Sequence, residues 1–171
     1  MLARNARKNS LPRCVRRNYD PRTVNVLFVC EDNSALSIMA ESILNSVAPG
    51  RFHAYSAGCA PRGTLDEHAL ELLSAHNLSV ERAQAKSLEQ LRASATRMDF
   101  VITLCDAAAA EPFAEWPGEP FVAHWNVEER ELRDSFWTLM RRINIFASLP
   151  QGKLSRRALE RRARTLEAGY H

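Results

Sequence analysis

Apolar positions along this chain fall into two alternating rhythms. Val24-Asn-Val-Leu-Phe-Val29 is a β-branched apolar run of strand length, continuous enough to be buried on both faces. Beyond a polar stretch from Cys30 to Ser34, apolar residues recur at Leu36, Ala40, Ile43, Leu44 and Val47, the spacing of one helical face. Pro49-Gly50 stops that helix, and Phe52 to Ala57 reads as a second strand turned by Gly58. Thr64-Leu-Asp-Glu67 has the form of a capping box, followed by Ala69, Leu72, Leu73 and His76 on one face. Ser87-Leu-Glu-Gln90 repeats that signature for a shorter helix. Asp99 to Leu104 is a third strand ending at Cys105, and Pro120 to Trp125 a shorter fourth. From Asp134 a long amphipathic helix turns Phe136, Leu139, Met140, Ile143 and Ala147 inward, and Pro150-Gln-Gly closes it.

Strands alternating with helices pair in parallel through right-handed crossovers, which predicts a three-layer α/β domain. In such sheets the functional crevice lies beyond the carboxyl ends of the strands. Cys30 directly follows the first strand and Cys105 the third, so both belong on that edge. A chain of 171 residues suits one domain, here placed at 23–150 between an N-terminal arm, 1–22, and a C-terminal tail, 151–171.

Charge separates the same three blocks. The arm carries seven Arg or Lys against Asp20 alone, and the tail six against Glu160 and Glu167, whereas the middle is acidic by seven charges. Basic ends on an acidic body read as solvated tails. Only Tyr19 interleaves the basic cluster of the arm, which argues against nucleic-acid binding. The Arg-rich, acid-poor start also has the composition of an organellar transit peptide. No apolar run reaches membrane-spanning length and no signal-peptide core follows Met1, so the expected compartment is the cytoplasm.

Cys14, Cys30, Cys59 and Cys105 form no CxxC and have no His at ligand spacing, so no metal site is expected. A cytoplasmic chain of this size folds without disulfides, and each thiol is judged by its surroundings. A strand, a tight polar loop and a helix N-terminus together make an anion site, because unpaired N–H groups converge where the helix dipole is positive. A cysteine at its mouth acquires a lowered pKa and a nucleophilic thiolate. By itself, though, one cysteine after a strand is more often a small buried core residue.

The neighbours decide between those readings. Val-Leu-Phe-Val-Cys30-Glu31-Asp32-Asn33-Ser34-Ala35-Leu36-Ser37-Ile-Met-Ala-Glu41 resembles the signature loop of low-molecular-weight protein tyrosine phosphatases and thioredoxin-coupled arsenate reductases. Tyr55-Ser-Ala-Gly58 is similar to that family's Ser-Ala-Gly segment, and Val101-Ile-Thr-Leu-Cys105-Asp-Ala-Ala with His124-Trp125 resembles the arsenate reductase branch. The matched blocks run in order from about residue 24 to 149. The resemblance implies a four-stranded parallel sheet flanked by helices, no cofactor, and an oxyanion-binding loop from Glu31 to Leu36. It implies Cys30 as nucleophile, Ser37 as a donor to its thiolate, Glu129 as general acid and Cys105 as second thiol. Phosphate, arsenate or a phosphoprotein would be the ligand, and thioredoxin a partner.

Three departures change the functional expectation. The family's loop arginine, a two-pronged oxyanion donor, is replaced by Leu36. The two positions after the nucleophile carry Glu31 and Asp32, each repelling a phosphate charge by roughly 3 kcal/mol at about 6 Å and an effective dielectric near 20. The third thiol expected seven residues after Cys105 is replaced by Pro112, and Cys59 reads as a buried, inert residue. Glu129 is either the acid or a surface carboxylate, and Ser37 either a thiolate donor or a helix-start residue satisfying the backbone. Arg51 and Arg62 are the candidate replacement cations. The expectation is a binding or regulatory pseudo-enzyme. Its rivals are an active phosphatase or arsenate reductase, and a redox protein pairing Cys30 with Cys105.

Overall fold

The structure, a computed structural model, describes residues 23–113, 115–127, 131–148 and 156–167. The N-terminal arm with Cys14, and the candidate acid Glu129, lie outside the described residues.

The four strand-like runs form β1 (Val24–Cys30), β2 (Phe52–Gly58), β3 (Phe100–Thr103) and β4 (Phe121–His124). They make one parallel sheet in the order β2-β1-β3-β4. Alternation of side chains across the pleat builds two cores from one set of strands. Val26, Phe28, Phe52, Ala54, Phe100, Ile102 and Ala123 point into the larger core. Helices α1 (Leu36–Val47), α2 (Glu67–Ala75) and α5 (Leu132–Ala147) complete it. Leu27, Val29, Ala57 and Val101 point the other way, against α3 (Leu88–Ala93) and α4 (Asp106–Ala109), with Phe113 and Trp116 sealing that side. This is the expected three-layer α/β architecture with helices on both faces.

The chain passes from β1 to β2 on one side and later to β3 on the other, so the strand order reverses at β1. The crevice of an open parallel sheet opens at such a reversal, beyond the carboxyl ends. Here that point is the end of β1, at Cys30.

Two local expectations are corrected. The second helix is capped by Asp66, whose carboxylate accepts the Ala69 N–H at 3.1 Å, and not by Thr64. Ser87 and Gln90 do form the full reciprocal capping box. Residues 156–167, read as part of a solvated basic tail, form the helix α6 (Arg156–Glu167). Leu159, Ala163 and Leu166 recur on one helical face and are buried in the larger core. The Ala163 carbonyl accepts the indole N–H of Trp125 at 3.2 Å, and Glu167 accepts the backbone N–H of His124 at 2.7 Å. No helix among the described residues is long and apolar enough to cross a membrane.

Candidate functional site: a thiol loop filled by its own carboxylate

Residues 30–34 are held from outside. The N–H groups of Cys59, Ala60, Arg62 and Asp66 donate to the carbonyls of Cys30, Glu31, Asp32 and Ser34, at 3.1, 2.8, 3.2 and 3.0 Å. With the carbonyls tethered outward, loop amides are left facing inward, the arrangement that receives an anion. Gly58 permits this approach, since a Cβ there would stand 2.8 Å from the Glu31 carbonyl and 3.0 Å from Asn33. Asn33 takes the left-handed conformation, φ 51°, that the tight loop requires.

The thiol of Cys30 is almost fully buried inside this loop. It accepts from the Asn33 N–H at 3.2 Å and lies 2.9 Å from the Ser37 hydroxyl. The amide of Asn33 is oriented by the Lys86 backbone N–H, which donates to Oδ1 at 2.6 Å and leaves Nδ2 to donate to Ser37 Oγ at 2.7 Å. Ser37 therefore keeps its own proton for the sulfur. Lys86 is in turn fixed by Glu41, 3.1 Å from its ammonium, and Glu41 also accepts the Ser56 hydroxyl. Sequence reasoning quoted Glu41 and Ser56 but missed Lys86, which acts through its backbone.

Burial pushes the Cys30 pKa up from its ordinary value, against the lowering effect of hydrogen bonds from Ser37 and Asn33. The nearby Asp32 pushes in the same direction as burial, but less. The expected lowering at a helix N-terminus is thus corrected: desolvation of the thiolate outweighs the donors.

Asp32 supplies the unforeseen feature. Its carboxylate turns into the loop, accepting the Ser34 N–H at 3.1 Å and the Ser34 hydroxyl at 2.8 Å, and approaches Cys30 Sγ at 3.9 Å. Arg62 closes over it, 3.5 Å away and largely exposed. Cys30, Glu31, Asp32, Arg62, Cys105 and Val127 line a cleft of about 200 Å³. Glu31 is exposed at its rim, and Ala35 precedes α1 without a side-chain cap. Leu36 points into the larger core and is buried there, so the helix start offers an apolar side chain where the resemblance places an arginine.

Of the two candidate cations, the structure brings Arg62 to the cleft. Arg51 lies at the opposite end of β2, over the ring of Phe52. Cys105 and Cys30 share the cleft as expected. Cys59, read as buried and inert, is partly exposed, and its pKa is pushed up to about 11. The causes are burial first, then Glu111, Cys105 and Cys30. His124 is partly exposed, 2.9 Å from the Thr103 hydroxyl and 3.4 Å from Asp106. A larger cleft of about 570 Å³ runs along α1 and β2 and is lined by no thiol.

The family profile of the low molecular weight phosphotyrosine protein phosphatases matches residues 25–119, more than half of the chain and the whole of this site's loop. The chain belongs to that family. No curated protein matches it. Among solved structures it is similar to the thioredoxin-dependent arsenate reductase of Corynebacterium glutamicum, 26% identical over 74% of this chain and 61% of that one, TM-score 0.61. It spans less than two thirds of that enzyme's length. The arsenate reductase of Archaeoglobus fulgidus is 25% identical over 72% of this chain and 99% of that one, TM-score 0.60. A low molecular weight protein tyrosine phosphatase from T. tengcongensis, 22% identical over 71% of this chain and 95% of that one with TM-score 0.58, shares the fold.

Proposed function

We propose that this low molecular weight phosphatase-family chain is a pseudo-enzyme: its Cys30 loop no longer processes oxyanions, and the domain acts in binding or regulation. The observation that carries this reading is the Asp32 carboxylate seated on the Ser34 donors beside the thiol. Hydrogen bonds to a charged group contribute about 1.5–3 kcal/mol each, so an incoming oxyanion must displace a ligand already held by two. It would do so without the guanidinium that Leu36 replaces, and next to a second carboxylate, Glu31. A thiol whose pKa is raised is also a weaker supply of the nucleophilic thiolate at neutral pH. Free Cys30, Cys59 and Cys105 suit a reducing compartment such as the cytoplasm.

Calorimetric titration with inorganic phosphate and with arsenate tests this. No saturable heat is expected at millimolar ligand. Binding in the micromolar range would sink the reading.

Arg62 favours one second reading. If its guanidinium left Asp32 and entered the cleft, it would supply the missing cation, and Cys30 would act as nucleophile in a phosphatase or arsenate reductase. Thioredoxin would then be the natural partner of Cys105, as for the thioredoxin-dependent enzyme of Corynebacterium glutamicum. Turnover of an aryl phosphate or of arsenate, lost in both Cys30→Ser and Arg62→Ala, would establish this second reading over the first.

A further inference from the structure

The pleat places Cys59 and Cys105 on one face. Tyr55 and Ala57 on β2 and Val101 on β3 all point into the smaller core; Cys59 lies one alternation beyond Ala57 and Cys105 two beyond Val101. Both thiols pack against that same cluster and both are partly exposed. Cys105 touches the two cores at once, whereas Cys30 points into the larger one, inside its loop. The backbone ties Cys59 to the same edge through its N–H donated to the Cys30 carbonyl at 3.1 Å. Cys105 and Cys30 are each close enough to Cys59 to act on its ionisation.

We propose that Cys59 and Cys105 are a redox-active dithiol that reduces hydroperoxides, closing to a single disulfide across this face of the sheet. Cys105 reacts first, because it lines the cleft and Cys59 does not. The Cys105 sulfur attacks the outer oxygen of the hydroperoxide; the S–O bond forms as the O–O bond breaks, leaving a sulfenic acid, and the thiol proton departs with the other oxygen as the alcohol, or as water from hydrogen peroxide. The Cys59 sulfur then attacks the sulfenic sulfur. The new S–S bond forms as the S–O bond breaks, and the Cys59 proton leaves with the hydroxyl as water. The two thiols lose two electrons and the peroxide gains two. An external dithiol, for which dithiothreitol is the probe, restores both thiols by exchange.

The geometry asks for one movement. β2 and β3 flank β1, so their backbones stand about two strand spacings apart, roughly 9.5 Å. A disulfide needs Cα atoms about 4.4–6.8 Å apart. Closing that gap requires α4 to move, a single turn without a side-chain cap, in which only Ala108 is buried. Nothing in this step uses the oxyanion loop, so it stands whether or not Cys30 has lost its chemistry.

Trypsin separates all four cysteines, into peptides 14–16, 23–51, 52–62 and 98–130. The full-length protein is treated with equimolar hydrogen peroxide, digested without reduction and mapped by mass spectrometry. The expected product is a 52–62 to 98–130 crosslink, removed by dithiothreitol and formed equally in Cys30→Ser. In Cys59→Ser, or in Cys59→Ala should the first fold poorly, dimedone trapping of a Cys105 sulfenic acid should rise several-fold. A crosslink of Cys105 to Cys30 or Cys14 instead, or over-oxidised thiols without any crosslink, overturns the proposal.

Discussion

The Cys30 thiol and the Asp32 carboxylate face one another at 3.9 Å; the carboxylate oxygen nearest the sulfur also accepts the Ser34 amide, and the other oxygen accepts the Ser34 hydroxyl. Two residues of one loop therefore occupy the roles of host and guest. Removing the guest is the most direct experiment. Asp32→Gly should free the Ser34 donors and Arg62 together, giving millimolar, salt-sensitive phosphate binding by calorimetry. Adding Arg62→Ala should abolish it. Binding unchanged from the native protein would mean that the carboxylate is not the obstacle.

Restoring chemistry takes more. The native chain should show no hydrolysis of an aryl phosphate, because loss of one oxyanion donor alone costs about 10²–10³ in rate. The triple change Glu31→Thr, Asp32→Gly, Leu36→Arg should bind phosphate more tightly than Asp32→Gly alone, with slow turnover that requires Cys30. Leu36→Arg by itself should unfold more readily in urea, since it places a guanidinium at a buried core position. Equal stability of that single variant would show that the new side chain turns into the cleft unaided.

Ser37 holds the thiol from two sides, through its hydroxyl and its backbone, and both lower the Cys30 pKa. Ser37→Ala removes the hydroxyl only, so the pKa should move further up. Alkylation of the 23–51 peptide should then be slower at neutral pH, with its midpoint at higher pH. A midpoint that moves down would contradict the assigned direction of that hydrogen bond.

Thiol ionisation also sets a pH limit on stability. Cys59 rises from an ordinary 9.0 to about 11, so the folded protein holds its proton more tightly than the unfolded chain. The resulting stabilisation is complete below pH 9 and is lost as pH climbs towards about 11. Cys30 acts in the same sense. The urea midpoint should fall over that window, and less steeply in Cys59→Ala; an identical slope would remove Cys59 as a contributor.

Two packing sites give stability tests. Gly58→Ala drives a Cβ against the Glu31 carbonyl and Asn33, and should cost about 1–3 kcal/mol while exposing Cys30 to alkylation. Leu159→Ala opens a cavity under α6 and should cost about 2–5 kcal/mol. Because Ala163 receives the Trp125 N–H, the second variant should also shift tryptophan fluorescence. Native-like midpoints in either would show that the site relaxes freely.

What the sequence revealed follows from how each feature is written in it. Val24–Val29 is legible because a central parallel strand is apolar at every position, and α1 because its buried residues repeat at helical spacing. The parallel order then follows from alternation. α6 was hidden because its buried stripe is only Leu159, Ala163 and Leu166 among many charges. The direction of Asp32 was hidden for a different reason. A carboxylate next to a cysteine reads as repulsion, and only the fold shows Ser34 donating to it while Arg62 pairs with it from across the cleft. Arg62 and Cys59 are three residues apart, in a segment without periodicity, so no pattern could draw them to Cys30.

The tethering of the loop by residues 59–66 has a consequence for heredity of form. Four hydrogen bonds from a neighbouring segment fix its curvature, and none of them involves a bound anion. A cradle braced from outside keeps its shape whatever lies in it. Side-chain changes at Glu31 and Asp32 therefore need not unfold the bend, because backbone groups make the brace. Shape here is set by the brace, and likeness of fold records the brace rather than the guest.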